Sequence, residues 1–144
     1  MQKTGVIITT IIAFLVVGGL IVALSVYKKS AVRPETTSLM SFTDDNFQED
    51  VVEASKSRPI LVDFYADWCF PCRMLDPILE EVAKDLSGRA VIGKLDTDKN
   101  LIARRFGISK IPALFIIRDG EIKDSFFGVV SKETIVKALK DYGG

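Results

Sequence analysis

Hydrophobic and polar positions follow three different patterns along the chain. Residues 5–27 form one uncharged apolar run, which as an α-helix would span roughly 34 Å and cross the hydrocarbon core of a bilayer. We expect residues 1–29 to be a single transmembrane anchor with its flanks. The polar segment 30–41, which contains Pro34, is predicted to be a linker. From residue 42 to 144, charged and apolar residues mix as in a globular domain of ordinary size.

A cleaved signal peptide is the alternative explanation of the N-terminal run. The apolar core of a signal peptide is usually about 7–15 residues long, which is shorter than this run. Only one weak cleavage site follows, at Ala23-Leu24-Ser25. A retained anchor is therefore the preferred interpretation.

Within residues 42–144 the hydrophobic period alternates between that of strands and that of helices. Ile60–Ala66 is an apolar run with one acid, which predicts a strand buried on both faces. The spacing predicts a helix over 71–86, and Ser131 is expected to cap a last helix that ends near Tyr142. The remaining predicted elements are a helix over 46–55 capped by Asp44 or Asp45, a strand over 90–95, a short helix over 100–106, and strands over 113–118 and 121–127 joined by Asp119-Gly120. This order predicts an α/β fold with a central mixed β-sheet flanked by helices.

The composition narrows the possible chemistry. The chain holds 19 basic and 19 acidic residues and no long basic stretch, so nucleic acid is not an expected partner. It contains two cysteines and no histidine. A Ser-His or Cys-His catalytic pair and histidine metal ligands are therefore excluded. Proton transfer near neutral pH has to use a carboxylate, a thiol, a lysine or water.

The two cysteines, Cys69 and Cys72, lie where a buried strand gives way to a predicted helix. Positions three apart are neighbours on a helix, so the pair can close and reopen a disulfide without rebuilding the fold. Cys69 would lie at the helix N-terminus, where free N–H groups and the helix dipole stabilise a thiolate and lower its pKa below about 8.5. Cys72, one turn later, should be less reactive. Pro71 fits the first helical turn, where a backbone N–H has no helical partner.

Three other uses of this motif have weaker support. A structural zinc site needs about four ligands, whereas this chain offers two sulfurs unless a dimer shares them. A c-type haem site needs a histidine after the second cysteine, but that position is Arg73. An inert structural disulfide would close so short a loop that it would stabilise the fold weakly. We expect neither a metal nor an organic cofactor.

The stretch from residue 42 to about 141 resembles the thioredoxin family, and four separated motifs carry the resemblance. They are the strand over 60–66, the redox motif over 68–72, the strand and turn over 94–98, and the loop over 107–113, which carries a cis-proline in that family. The resemblance implies a thioredoxin fold. It also implies a thiol–disulfide oxidoreductase, most simply a protein-disulfide reductase.

The resemblance further implies a role for each site residue. Cys69 is the attacking nucleophile, Cys72 is the resolving thiol, and Asp63 is a buried carboxylate that exchanges protons with Cys72. From the sequence pattern alone, Asp63 could instead be an exposed acid on an edge strand. Lys94 is expected to lie close to Asp63. The implied substrate-binding residues are Trp68, Phe70, Pro71, Ile111 and a cis Pro112.

Two positions depart from the usual pattern of the family. Phe70 stands where glycine is typical, and Tyr65 stands where many relatives carry tryptophan. We expect Phe70 to change the substrate fit and to narrow it. The expected partners are disulfide-containing protein substrates and an upstream dithiol reductant. The alternatives are a tethered oxidase or isomerase, in which Pro71 is less usual, and a peptide-binding or chaperone module without turnover.

The membrane side of the domain is predicted from two opposing indications. Lys3 and the α-amino group precede the apolar run, and Lys28, Lys29 and Arg33 follow it, which favours a cytoplasmic domain by about one charge. A tether, however, holds a reductant where soluble thioredoxin cannot reach, as in bacterial anchored relatives. A chain without further cysteines also avoids unwanted bridges in an oxidising compartment. We expect a single-pass protein with its redox domain on the extracytoplasmic face.

Overall fold

In the computed structural model, which describes residues 38–144, the strands and helices after residue 59 follow the order that the hydrophobic pattern predicts. The strands are β1 (Met40–Phe42), β2 (Ile60–Tyr65), β3 (Val91–Asp96), β4 (Ala113–Arg118) and β5 (Glu121–Phe127). The helices are α1 (Phe70–Asp85), α2 (Ile102–Arg105) and α3 (Lys132–Asp141). A π-helical segment (Gln48–Glu53) runs into a 3₁₀ turn (Ala54–Lys56) between β1 and β2.

The strands form one mixed sheet in the order β1-β3-β2-β4-β5. β3 pairs in parallel with both β1 and β2, whereas β4 is antiparallel to β2 and to β5. The β4–β5 connection uses Asp119 and Gly120 at positive φ angles of 57° and 76°, as a tight hairpin turn requires. The predicted α/β fold with a central mixed sheet is confirmed. β2, which carries Asp63, lies in the middle of that sheet.

Two hydrophobic clusters cover the two faces of the sheet. On one face, strand residues pack against α1 and α3; the buried members include Leu61, Ile92, Leu114, Leu75, Leu79, Ile135 and Leu139. On the other face, strand residues pack against the π-helical segment and α2; the buried members include Phe42, Ile60, Val62, Phe64, Val51 and Ile102. Because β2 is covered on both faces, its sequence is apolar almost throughout. Asp63 follows the alternation of Leu61 and therefore faces α1.

The segment after β1 differs from the predicted α-helix capped by Asp44 or Asp45. It is a π-helical turn without a side-chain cap. Asp44 instead accepts hydrogen bonds from the backbone N–H groups of Leu101 and Ile102, at 2.8 and 2.9 Å. The bond from Leu101, followed by that from Ile102, lowers the pKa of Asp44. The acid thus satisfies the free donors of α2, far away in sequence, rather than those of its own segment.

The C-terminal helix begins where the sequence predicts, whereas the first strand begins earlier than the predicted start of the domain. Ser131 is the N-cap of α3, and its hydroxyl accepts a hydrogen bond from the Thr134 N–H, as predicted. β1 begins at Met40, inside the segment 30–41 predicted to be a linker. Among residues 38–144, no helix is both long enough and apolar enough to cross a membrane. The predicted anchor, residues 1–29, lies outside the described residues.

Candidate active site

The two cysteines lie at the start of α1 and form a disulfide with a Cα–Cα distance of 5.3 Å. Cys69 is the N-cap residue, with an extended backbone, and its Sγ accepts a hydrogen bond from the Cys72 N–H at 3.3 Å. Phe70 and Pro71 fill the first turn, where proline costs no helical hydrogen bond. The predicted position of Cys69 at a helix N-terminus is confirmed. A thiolate at this Sγ would face unpaired backbone donors of the first turn.

The disulfide is nearly buried, but large apolar side chains lie exposed around it. Cys69 and Cys72 are only 3% and 1% exposed, and they pack with Ala66, Tyr65 and Ile111. The large apolar residues exposed nearest in sequence are Trp68, Phe70 and Met74, at 70%, 63% and 51%. The Arg73 guanidinium lies 5.7 Å from the centre of the Phe70 ring. Apolar side chains exposed beside a reactive pair are typical of a surface that contacts other molecules.

Asp63 lies beneath α1 on the central strand β2 and is fully buried. Neither oxygen of its carboxyl group has a hydrogen-bond partner within residues 38–144. Burial raises its pKa from 3.8 to about 7, against a smaller lowering by Lys94. The alternative of an exposed acid on an edge strand is wrong. An acid that titrates near neutral pH is suited to proton transfer.

Lys94 lies opposite Asp63 in the parallel pairing of β2 with β3. Its ammonium group, however, forms an ion pair with Asp76 of α1 and lies 4.1 Å from the centre of the Tyr65 ring. The strand register confirms the predicted proximity of Lys94 to Asp63. The ion-pair partner of Lys94, however, is Asp76, which the sequence motifs do not identify. Asp76 follows Cys72 by four residues and so shares its face of α1. This spacing of four residues is the feature of the sequence that could have identified Asp76 as part of the site.

Cys72, Asp76 and Lys94 line one pocket of about 300 Å³ beside the disulfide, together with Tyr65, Ala66, Asp67 and Arg73. The pocket thus joins charged side chains to Cys72. Within residues 38–144, no group of three or more acidic or cysteine side chains is arranged to hold a metal ion.

The loop before β4 forms the opposite wall of the site. The Ile111–Pro112 peptide bond is cis, as the resemblance implied. Ile111 packs against the two cysteines, and Pro112 is buried. A second pocket, of about 160 Å³, is lined by Trp68, Thr97 and residues 108–111. Of the expected substrate-binding residues, Trp68, Phe70 and Pro71 adjoin Cys69 along the chain. Ile111, which precedes the cis Pro112, packs against both cysteines.

Polar contacts join the loop that carries Trp68 to the loop after β3. The Trp68 indole N–H donates to the Asp98 carboxylate at 2.9 Å. The Lys99 ammonium bonds to Asp67 at 3.2 Å and to Asp96 at 2.6 Å. These contacts fix the backbone immediately before Cys69, although no sequence motif predicted them.

A buried acid, a half-buried lysine and a cysteine disulfide at a helix N-terminus define the domain as a thiol–disulfide oxidoreductase. The comparisons with known proteins agree, since the family model "Thioredoxin" matches residues 38–141. A thioredoxin from Chlorobaculum thiosulfatiphilum is 42% identical over 103 residues, which are 71% of this chain and 94% of the relative. A thioredoxin from Rickettsia bellii is 41% identical over 100 residues, covering 69% and 93%.

The fold also matches a solved structure. A mutant thioredoxin from Halobacterium salinarum NRC-1 superposes with a TM-score of 0.66 at 28% identity, covering 75% of this chain and 93% of that one. This chain belongs to the thioredoxin family. Its activity is that of a protein-disulfide reductase, which acts on disulfide-containing substrates and is regenerated by a reductant.

Proposed function

We propose that Cys69 attacks the substrate, Cys72 resolves the mixed disulfide and Asp63 accepts the Cys72 proton. The Cys69 thiolate attacks one sulfur of the substrate disulfide, and the second substrate sulfur leaves as a thiolate and is protonated. The Cys72 thiol gives its proton to Asp63, directly or through water, and attacks Cys69. The Cys69–Cys72 disulfide forms and the substrate leaves as a dithiol. A dithiol reductant then returns two electrons and two protons.

The observation that carries this assignment is the position of Cys69 as the N-cap of α1. Its sulfur already accepts a backbone hydrogen bond, whereas Cys72 lies one turn inside the helix beside the polar pocket. The two thiols therefore differ in environment, although both are nearly buried. Pro71 and the comparisons favour reduction over the oxidase, isomerase and binding-module alternatives.

Differential alkylation tests this assignment. In the reduced protein, Cys69 should react with iodoacetamide about tenfold faster than Cys72 near pH 7, because only Cys69 lies at the helix N-terminus. Mass spectrometry of peptides from quenched samples measures both rates. In urea, where the helix is lost, the two rates should converge. Equal rates in the folded protein would contradict the separate roles of the two thiols.

We propose that the substrate lies as an extended segment between the two walls of the site. The Ile111 backbone would pair with it next to Pro112, and Trp68, Phe70 and Pro71 would contact its side chains. The exposed Phe70 ring covers space that glycine would leave open. This chain should therefore prefer substrate segments with apolar residues beside the reactive disulfide.

We also propose that residues 1–29 anchor the protein in a membrane by a single pass, with residues 30–41 as the linker. The support is the uncharged apolar run over residues 5–27, together with a family match that begins only at residue 38. We place the redox domain on the extracytoplasmic face, because a tether is of most use where soluble thioredoxin is absent. The flank after the apolar run carries about one more positive charge than the flank before it, and this difference is too small to outweigh the functional argument.

Protease accessibility tests the placement. In intact spheroplasts that express the full chain, added protease should digest the domain, while a cytoplasmic marker protein stays whole. Carbonate washing should leave the undigested protein in the membrane pellet. A domain that is protected until the membrane is broken would place it in the cytoplasm, and release by carbonate would contradict the anchor.

A further inference from the structure

Asp76 is a charged residue of the site that has no role in the proposed exchange steps. Its carboxylate binds the Lys94 ammonium, and the two side chains are 34% and 18% exposed. The same ammonium lies against the Tyr65 ring. Both partners line the pocket that reaches Cys72. The ion pair is thus part of the active-site wall.

Lys94 has two carboxylates within range of its flexible side chain. Asp63 is its neighbour on the adjacent strand, and Asp76 lies above it on α1. Pairing with Asp63 would bring the ammonium into a fully buried position, where the loss of hydration is large. Pairing with Asp76 keeps the ammonium half-buried and adds the contact with the face of Tyr65. The structure contains the second arrangement, and Asp63 has no hydrogen-bond partner within residues 38–144.

We propose that Asp76 is a positioning residue that holds the Lys94 ammonium at the pocket wall against Tyr65, and so keeps the Asp63 carboxyl unpaired and able to take the Cys72 proton. The proposal rests on the proposed role of Asp63. It adds a specific task for an acid placed one helical turn after the resolving cysteine. A carboxylate paired with lysine would be a much weaker base towards a thiol.

The charges around Asp63 are consistent with a positioning role for Asp76. Burial is the main reason for its raised pKa of about 7, Lys94 acts in the opposite direction, and Asp76 raises the pKa further. The titratable and charged groups that line the neighbouring pocket are Lys94 from β3, Cys72, Arg73 and Asp76 from α1, and Tyr65 and Asp67 from β2 and the loop after it. From β4, the residue opposite Asp63 is Leu114, which carries no charge.

The test is to replace Asp76 in the full-length protein, solubilised in detergent, and to follow two readouts. Carbon-13 NMR of labelled aspartate carboxyls gives the pKa of Asp63, and single-turnover kinetics give the pH midpoint of the resolving step. In Asp76→Asn, Lys94 is released towards Asp63 and a like charge disappears. Both changes should lower the pKa and the midpoint, together by about one pH unit. Asp76→Glu should restore the wild-type values.

Two controls separate positioning from a simple charge effect. Glu80→Gln removes an exposed acid from the same helix and should change neither readout. In a Lys94→Gln background, Asp76→Asn should lower the Asp63 pKa by less than half as much, because there is no ammonium to release. Equal effects with and without Lys94, or an unchanged pKa in Asp76→Asn, would overturn the proposal. A pKa that falls while the kinetic midpoint stays would support the hold of Asp76 on Lys94 and contradict the proton-acceptor role of Asp63.

Discussion

Replacing Cys69 with serine should abolish turnover, leaving insulin disulfides to be reduced only at the rate of the added dithiothreitol. A serine hydroxyl is not ionised near neutral pH even at a helix N-terminus, so no nucleophile remains at the start of α1. The Cys72 thiol, which lies one turn inside the helix, should not replace it. The measurement is insulin reduction by the full chain, followed by turbidity, with the wild type in parallel.

Cys72→Ser is the matched control for that experiment, since it removes one sulfur but keeps the nucleophile. It should also fail to turn over, yet it should accumulate a stable mixed disulfide through Cys69, visible as a mass increase equal to one substrate chain. Cys69→Ser should accumulate none. If Cys69→Ser traps substrate and Cys72→Ser does not, the roles of the two cysteines are reversed. If Cys69→Ser retains wild-type turnover, the exchange mechanism does not apply.

The Asp63→Asn variant should slow the resolving step at pH 7 by about tenfold to a hundredfold, because an amide cannot accept the Cys72 proton. The first attack by Cys69 should change much less. Trp68 is the only tryptophan of the chain and lies beside the disulfide, so stopped-flow fluorescence can follow both steps. A resolving rate equal to that of the wild type would contradict proton transfer through Asp63.

The same variant should be more stable than the wild type above pH 7. The pKa of Asp63 is raised from 3.8 to about 7 on folding, so between these values the folded protein keeps a proton that the unfolded chain has lost. Stability due to this group therefore falls as pH rises from about 4 to 7 and is constant above. Asp63→Asn removes that loss of stability, and the gain in the free energy of unfolding should be about 4 kcal/mol at pH 8 and close to zero at pH 4. Urea unfolding of both proteins at the two pH values measures it, and an equal difference at pH 4 and pH 8 would contradict a buried acid.

The local patterns of this sequence predict most of the fold because each strand and helix shows its own period. The apolar run of β2 indicated burial on both faces, and Asp119-Gly120 placed the hairpin turn correctly. The first helical segment was mistaken for an ordinary α-helix. The reason is that an acid such as Asp44 just before a helical segment usually caps that segment. Its actual partners, Leu101 and Ile102, come close to it only when β1 and α2 pack together.

The active site shows the same division between local and non-local information. The helix start at Cys69 and the burial of Asp63 could be predicted because both depend on neighbours in sequence. The choice of Lys94 between two acids depends on how α1 lies across β3, which no short motif encodes. Asp76 was therefore missed, although its spacing from Cys72 places it on the same side of the helix.

The central position of β2 determines how protons reach Asp63. β2 is hydrogen-bonded on both sides, to β3 and to β4, so its amides should be among the slowest in the domain to exchange with deuterium, opening only near global unfolding. The protonation of the carboxyl that we propose for each reaction cycle cannot wait for such openings. In the proposed cycle, protons would instead reach the carboxyl by way of Cys72 and the pocket that Cys72 lines, through side-chain motions that leave the strand folded. The proposed mechanism would thus combine a backbone that solvent seldom reaches with an acid that exchanges its proton in every turnover.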